Sequence, residues 1–288
     1  MDRGGKLTAR SIGGLRGCLI AAGLYLGGCA TTVPYVGVGP HAQVERGQPA
    51  APVDLLGNVL ALPWKLLFWD WRFANHAISP ATETMVVRYL EERGQDLSHV
   101  RVRLNQYAPH KDLKRLITNH RVGWPYRLVF GSLAALTEFV VPGRLFSLLI
   151  SDYYNPWTDT VHIYSDHPAI ALHELGHAYD FSQQPYRGTY ALLGGFFIVR
   201  LHEEWRATDE ALSYLVEVGD RRNELRAYKI LYPAFGSYLG SYLIPIPFGN
   251  VPGILIGHIP GRLKATARAR FYQELDTQTT PPTPRSLP

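Results

Sequence analysis

The chain has 288 residues but only two cysteines, Cys18 and Cys29, both within the first thirty positions. The rest of the sequence can therefore form neither a disulfide nor a Cys-type metal site. It also lacks a long, unbroken apolar run of the kind a membrane-crossing helix needs, because every apolar stretch is short or interrupted by glycine and proline. Basic residues exceed acidic ones only modestly, 29 against 24, and no basic run or RNA-binding motif appears. No nucleic-acid partner is expected on that basis.

What is present begins at the N-terminus. Arg3, Lys6, Arg10 and Arg16 precede a short apolar stretch at residues 18–26, which closes on Leu26-Gly27-Gly28-Cys29. This pattern resembles a bacterial lipoprotein signal with its lipobox. The resemblance implies that residues 1–28 are a signal peptide and that Cys29 becomes the lipidated first residue of the mature protein. Position 30 is Ala, whereas an Asp there would favour retention in the inner membrane, so the expected address is the outer membrane facing the periplasm. Loss of residues 1–28 removes four basic residues and Asp2, leaving a net charge of about +2, so much of the basic balance belongs to the signal.

Residues 29–52 are rich in Gly, Pro, Ala and Val without periodicity and read as a flexible tether. Residues 53–275 read as one domain, with a disordered tail at 276–288. Within the domain, residues 53–73 predict one or two helices broken at Pro63 and packed in the core, with contact to a membrane surface as the alternative use of the tryptophans. A helix is expected over 82–93, ended by Gly94, and a half-exposed strand over 100–107. Helices follow over 109–119 and, buried, over 128–141. Residues 152–159 carry turn chemistry, and a strand over 160–164 leads into a helix that Pro168 opens, with Ser165 or Asp166 as cap. The apolar segment 235–259 contains Pro245, Pro247, Pro252 and five glycines, and reads as buried loops and short helices. Its Gly236 and Gly240 form a GxxxG that such a broken stretch makes weak support for helix pairing.

The chemistry concentrates in His173-Glu174-Leu175-Gly176-His177, an HExxH motif. At ordinary frequencies it arises by chance in about one chain per hundred of this length, so the setting decides. Here it sits in a helix pattern with Leu172, Leu175 and Tyr179 as an opposite apolar face. Histidines four residues apart stand one above the other on a helix, so both imidazoles reach one metal. Glu174 is turned away far enough to meet a metal-bound water instead. Gly176 costs about 1 kcal/mol of helix propensity but permits close backbone packing beside the metal.

A catalytic zinc takes a third protein ligand, and with no cysteine left it must be His or carboxylate. Residues 196–217 form a strong helix pattern containing Glu203, Glu204, Asp209, Glu210 and His202. Glu204 shares its stripe with Phe197, Leu201, Thr208, Ala211 and Leu215, which should face inward, whereas Glu203 aligns with Arg200, Arg206 and Glu210 on a charged, solvated face. A carboxylate on a buried face is costly without a partner, which singles out Glu204.

His173, Glu174, His177 and Glu204, in that order, resemble the gluzincins, zinc peptidases with an HExxH helix and a glutamate on a later helix. Glu204-Trp205-Arg206-Ala207 is similar to the Glu-x-x-Ala start of that second helix. The resemblance covers roughly residues 161–217. It implies zinc held by His173, His177 and Glu204, Glu174 as general base, an edge strand that binds peptide by strand addition, and a Tyr or His that hydrogen-bonds the transition state. Tyr214, Tyr228 and Tyr232 all remain open for the last role. Where several members have an Asp four residues after the glutamate, this chain has Thr208; where a metzincin would place its third histidine, it has Gln183. The expectation is thus an α+β, zincin-like, predominantly helical metallopeptidase acting on a peptide or protein substrate. A non-catalytic zinc-binding envelope lipoprotein is the alternative, and a zinc hydrolase of non-peptide amides a third possibility.

Overall fold

A computed structural model describes residues 40–146, 149, 151–244 and 248–279. The expected signal peptide, Cys29, most of the tether and the tail from residue 280 lie outside the described residues. The fold is α+β and mostly helical, around one small mixed sheet. Its strands are β1 (Val44–Arg46), β2 (Arg101–Leu104), β3 (Tyr153–Asn155) and β4 (Thr160–Ile163), in the order β1-β2-β4-β3. The first three are mutually parallel, and β3 runs antiparallel to β4 at the edge.

Two of these strands were not expected. β1 lies inside the stretch read as tether, and β3 inside the stretch read as turn. Both are three residues long, too short to show an alternating pattern, and they owe their strand form to pairing with β2 and β4. The strand β2 falls where expected but is not half-exposed. Arg103 is buried with Val102 and Leu104, because its guanidinium ion-pairs with Asp112 at 2.8 Å.

The helices are α1 (Ala51–Leu60), α2 (Leu62–Phe68), α3 (Pro80–Arg93), α4 (Pro109–Thr118), α5 (Ser132–Val140), α6 (Pro168–Ser182), α7 (Arg187–Leu193), α8 (Phe197–Glu217), α9 (Arg221–Leu243) and α10 (Asn250–Thr279). A helical turn at Trp124–Tyr126 and a π-helical turn at Arg127–Gly131 lead into α5. The main core gathers β2 and β4 with the buried sides of α3, α6, α8 and α9, through residues such as Val102, Val161, Leu172, Leu175 and Leu215.

The motif helix α6 starts at Pro168 as expected, but its cap is His167, whose ring Nδ1 accepts from Ala169 N at 3.2 Å. Asp166 is occupied elsewhere, accepting from Ser79 N, Ser79 Oγ and Thr82 Oγ1 at the start of α3. Ser165 Oγ donates to Asp152. Gly176 lies against α8 so closely that a Cβ there would stand 2.9 Å from Ala207 O.

The segment expected to be buried loops and short helices instead belongs to two long helices packed backbone to backbone. In α9 and α10 a Cβ on Gly253 would lie 2.1 Å from Gly236 O, and one on Gly240 would lie 2.9 Å from Gly253 Cα. The GxxxG therefore does pair helices, in spite of Pro233 within α9 and Pro260 within α10. An interior proline costs about 3 kcal/mol by losing a hydrogen bond and crowding the preceding turn. Backbone-to-backbone packing along several glycines offsets it. The helix α10 continues to Thr279, four residues past the expected end of the domain.

Burial of apolar segments also departs from expectation. Along α1, α2 and the following turn, Leu55, Val59, Leu66, Trp69 and Trp71 are exposed, Trp71 by 65%. The stretch expected as a buried helix over 128–141 exposes Leu128, Val129, Leu133, Leu136 and Phe139. An all-round apolar pattern marks burial against something, and in these two segments the fold provides little to cover it. Among the described residues no single helix is long and apolar enough to cross a membrane, although the bent pair α1 and α2, at 51°, passes that test jointly.

The glycine contact yields a prediction with a definite sign. Ala is the better helix former by about 1 kcal/mol, but at position 253 its methyl would push α9 and α10 apart, at about 1–3 kcal/mol or more for overpacking. Gly253→Ala should therefore lower the unfolding free energy in urea titration, while Leu255→Ala, at an exposed site on the same helix, should stay within about 0.5 kcal/mol of wild type. A stabilised Gly253→Ala protein would contradict the packing described.

Candidate metal centre

The helices α6 and α8 cross at Gly176 and Ala207, and that crossing brings the three expected ligands together. His173 Nε2 lies 3.1 Å and His177 Nε2 3.5 Å from the same oxygen, Glu204 Oε2. Three donors around a tetrahedral zinc at about 2.1 Å are roughly 3.4 Å apart, so the set has the right spread for that ion. The donor chemistry, two imidazoles and one carboxylate, fits zinc as well. Glu204 is only 2% exposed, so its charge depends on these partners.

The electrostatics show that dependence. Burial would raise the Glu204 carboxyl, but His177 and His173 hold it well below the usual carboxylate range. Burial would lower His177, yet Glu204 pushes it up to about 9. Glu174, on the adjoining side of α6, is raised by burial, with the two histidines pulling the other way. Thr208 Oγ1 stands 3.4 Å from His173 Nδ1. The threonine one turn beyond Glu204 thus contacts the nitrogen of His173 that points away from Glu204, where a hydrogen-bonding partner would fix ring orientation and tautomer.

Glu203 departs from its expected solvated position. It is buried, because Gly194 at the end of α7 covers it closely enough that a Cβ there would lie 2.7 Å from Glu203 Oε1. Its carboxyl is pushed up to about 7 by burial, against the pull of Arg200. A stripe drawn on α8 alone carries no information about the helix that covers it. The other ligand candidates lie elsewhere. His202 and Asp209 are exposed, and Glu210 ion-pairs with Arg93 at 2.8 Å.

Three residues join the site that sequence reasoning did not single out. Tyr238 on α9 lines the same chamber as Glu204, and the nearby Glu204 charge, with burial and Glu174, raises its phenol well above the ordinary range. Arg200 Nη1 lies 3.8 Å from Glu204 Oε1. Asp152, just before β3, accepts from Tyr164 N at 2.6 Å and Ser165 N at 2.9 Å. Asp152, Glu174 and Tyr238 line both chambers that meet at the centre. One, of about 410 Å³, has apolar walls including Phe68, Ile170, Leu231 and Ile254; the other, of about 130 Å³, includes Arg200 and Glu203. The tyrosines held open are not there. Tyr214 packs edge-on against Tyr89, and Tyr228 donates to Glu224 and packs on Tyr232. Continuing the helical period through Pro233 would have put Tyr238 one turn beyond Ala234, on the stripe of Leu231.

Comparison with protein-family models, with curated proteins and with solved structures finds no match. The site's interpretation therefore rests on its own chemistry.

The ligand geometry separates neighbouring residues on α8. Glu204→Ala should strip zinc or weaken it severely, and Glu203→Gln should leave zinc content near wild type. Thr208→Val, which keeps shape but removes the hydroxyl, should weaken zinc by about 10-fold to 100-fold. Competition titration against a chromophoric chelator measures all three. Equal affinities for Thr208→Val and wild type would remove Thr208 from the centre.

Proposed function

We propose that the chain is a zinc-dependent metallopeptidase of gluzincin type, with a zincin-like fold, tethered by lipid on Cys29 to a bacterial envelope membrane. One observation carries the reading: His173, His177 and Glu204 converge on one point while Glu174 and Tyr238 face the chambers beside it. A zinc ion held by those three side chains would polarise a carbonyl and lower the pKa of a bound water to about 7.

The protein's own groups supply the rest. Glu174 takes a proton from the attacking water, and its buried, raised carboxyl suits a base that must later return that proton to the leaving amine. Tyr238 keeps its phenolic proton and donates a hydrogen bond to the oxygen that gains charge. The outer edge of β3, unpaired among the described residues, offers backbone groups to an extended peptide, the mode expected from the family resemblance. The apolar walls of the larger chamber favour substrate with large apolar side chains next to the scissile bond. The exposed Leu55, Val59, Leu66, Trp69 and Trp71 come soon after β1 near the N-terminal side of the fold, and tryptophans and leucines in that place suit contact with a lipid surface.

Glu174→Gln should keep zinc and lose at least about 100-fold in hydrolysis of a validated substrate. Tyr238→Phe should lower kcat with little change in KM, since its hydrogen bond matters most as charge develops. A fully active Glu174→Gln protein refutes the mechanism.

For the anchor, Cys29→Ser should abolish metabolic lipid labelling and release the protein from the membrane fraction. Recovery of wild type as a soluble protein with an unmodified N-terminus would refute the lipoprotein assignment.

A further inference from the structure

We infer that the chain holds a second divalent cation, at a site made by Asp112 on α4, Glu138 on α5 and His162 on β4. One ligand atom from each lies within 4.8 Å of the others. None of the three belongs to the His173, His177 and Glu204 centre, so the inference stands whether or not the peptidase reading does.

The histidine carries the argument. His162 is 3% exposed, and among the described residues neither of its ring nitrogens has a hydrogen-bond partner. A neutral imidazole has one donor and one acceptor, and burying both unsatisfied is costly. Its ring is held in place, stacked on Tyr153 with centroids 4.5 Å apart and planes 10° from parallel. The two carboxylates are near, yet no hydrogen bond joins them to the ring. Donors bound to one ion at about 2.0–2.2 Å stand up to about 4.4 Å apart. Around a tetrahedral ion the spacing is roughly 3.4 Å, and the three ligand atoms, all within 4.8 Å of one another, need only draw together to share one ion.

The carboxylates are partly tied down, which orients them without occupying them fully. Asp112 Oδ1 is 2.8 Å from Arg103 Nη2 as an ion pair but accepts no hydrogen bond. Glu138 Oε1 accepts from Asn155 Nδ2 at 2.6 Å. Arg103 is shared further with Gln106 at 3.1 Å and Glu45 at 3.5 Å, so its charge does not balance both acids. One imidazole and two carboxylates match zinc or a similar transition ion, whereas calcium and magnesium prefer oxygen throughout.

The site also explains how α5 is held. That helix contains no buried residue, and its side chains Leu133, Leu136 and Phe139 are exposed. Glu138 links it to β3 through Asn155. A cation there would fasten α4 and α5 to β4 and steady the edge strand that follows Asp152.

The test is zinc content of the full-length protein after equilibrium dialysis, read by elemental analysis. Wild type should carry two equivalents, and His173→Ala/His177→Ala one. Adding Glu138→Gln or His162→Gln to that double variant should bring it to zero. Micromolar zinc should raise the melting temperature of the double variant by several degrees and leave its Glu138→Gln derivative unmoved. Should His162→Gln fail to fold, the double variant and its Glu138→Gln derivative still decide. A double variant that binds no zinc overturns the inference. So does one whose single equivalent survives Glu138→Gln.

Discussion

A carboxylate charge buried on a helix face is the constraint around which this molecule is arranged. Glu204 is almost fully enclosed, and an isolated carboxylate in such a place would neutralise or reject the fold. Two imidazoles within 3.5 Å keep it ionised, and they can do so only because α6 and α8 approach until backbone meets backbone at Gly176 and Ala207. The cap on α6, the cover that α7 lays over Glu203 and the threonine beside His173 all maintain that crossing or its surroundings. Removing the side chain at 176 was thus a condition for placing charge at 204.

The parts of this arrangement that were legible in the sequence are those written within a single helix. The four-residue spacing of His173 and His177 and the inward stripe of Glu204 each depend on one helix's period, and the α+β class followed from the mix of patterns. What lay beyond reach depends on contact between segments. Tyr238 stands in a stretch whose prolines argue locally against a helix, and the packing that overrules them comes from glycines on another helix. The strand β3 was hidden because three residues inside a turn-rich stretch become a strand only when β4 is beside them. Glu203 was misplaced because its cover comes from α7. Segments 53–73 and 128–141 have core-like composition, and composition does not tell protein interior from any other apolar surrounding.

The distribution of apolar surface has a bearing on the proposed site. Exposed aliphatic and aromatic side chains cluster on α1, α2 and α5, and again near the tip of the α9 and α10 hairpin, where Leu243 and Phe248 are open. The larger chamber is walled by residues of α2, α6, α9 and α10. The elements that present apolar groups outward are in good part those that line the cavity inward. For a protein proposed to sit on lipid, that couples contact with the membrane to the shape of the substrate space.

The glycine contacts between α9 and α10 carry a consequence for how this protein could change over time. Tyr238 and the wall residues Leu231 and Ile254 ride on helices locked together at the backbone, so they shift as one body. A substitution that widens the chamber by spreading those helices also withdraws the phenol from Glu204. On the proposed peptidase reading, selectivity and reactivity cannot be adjusted separately along that wall. New preferences are more readily acquired on the Trp64, Phe68 and Phe73 side, which belongs to α2 and the turn beyond it.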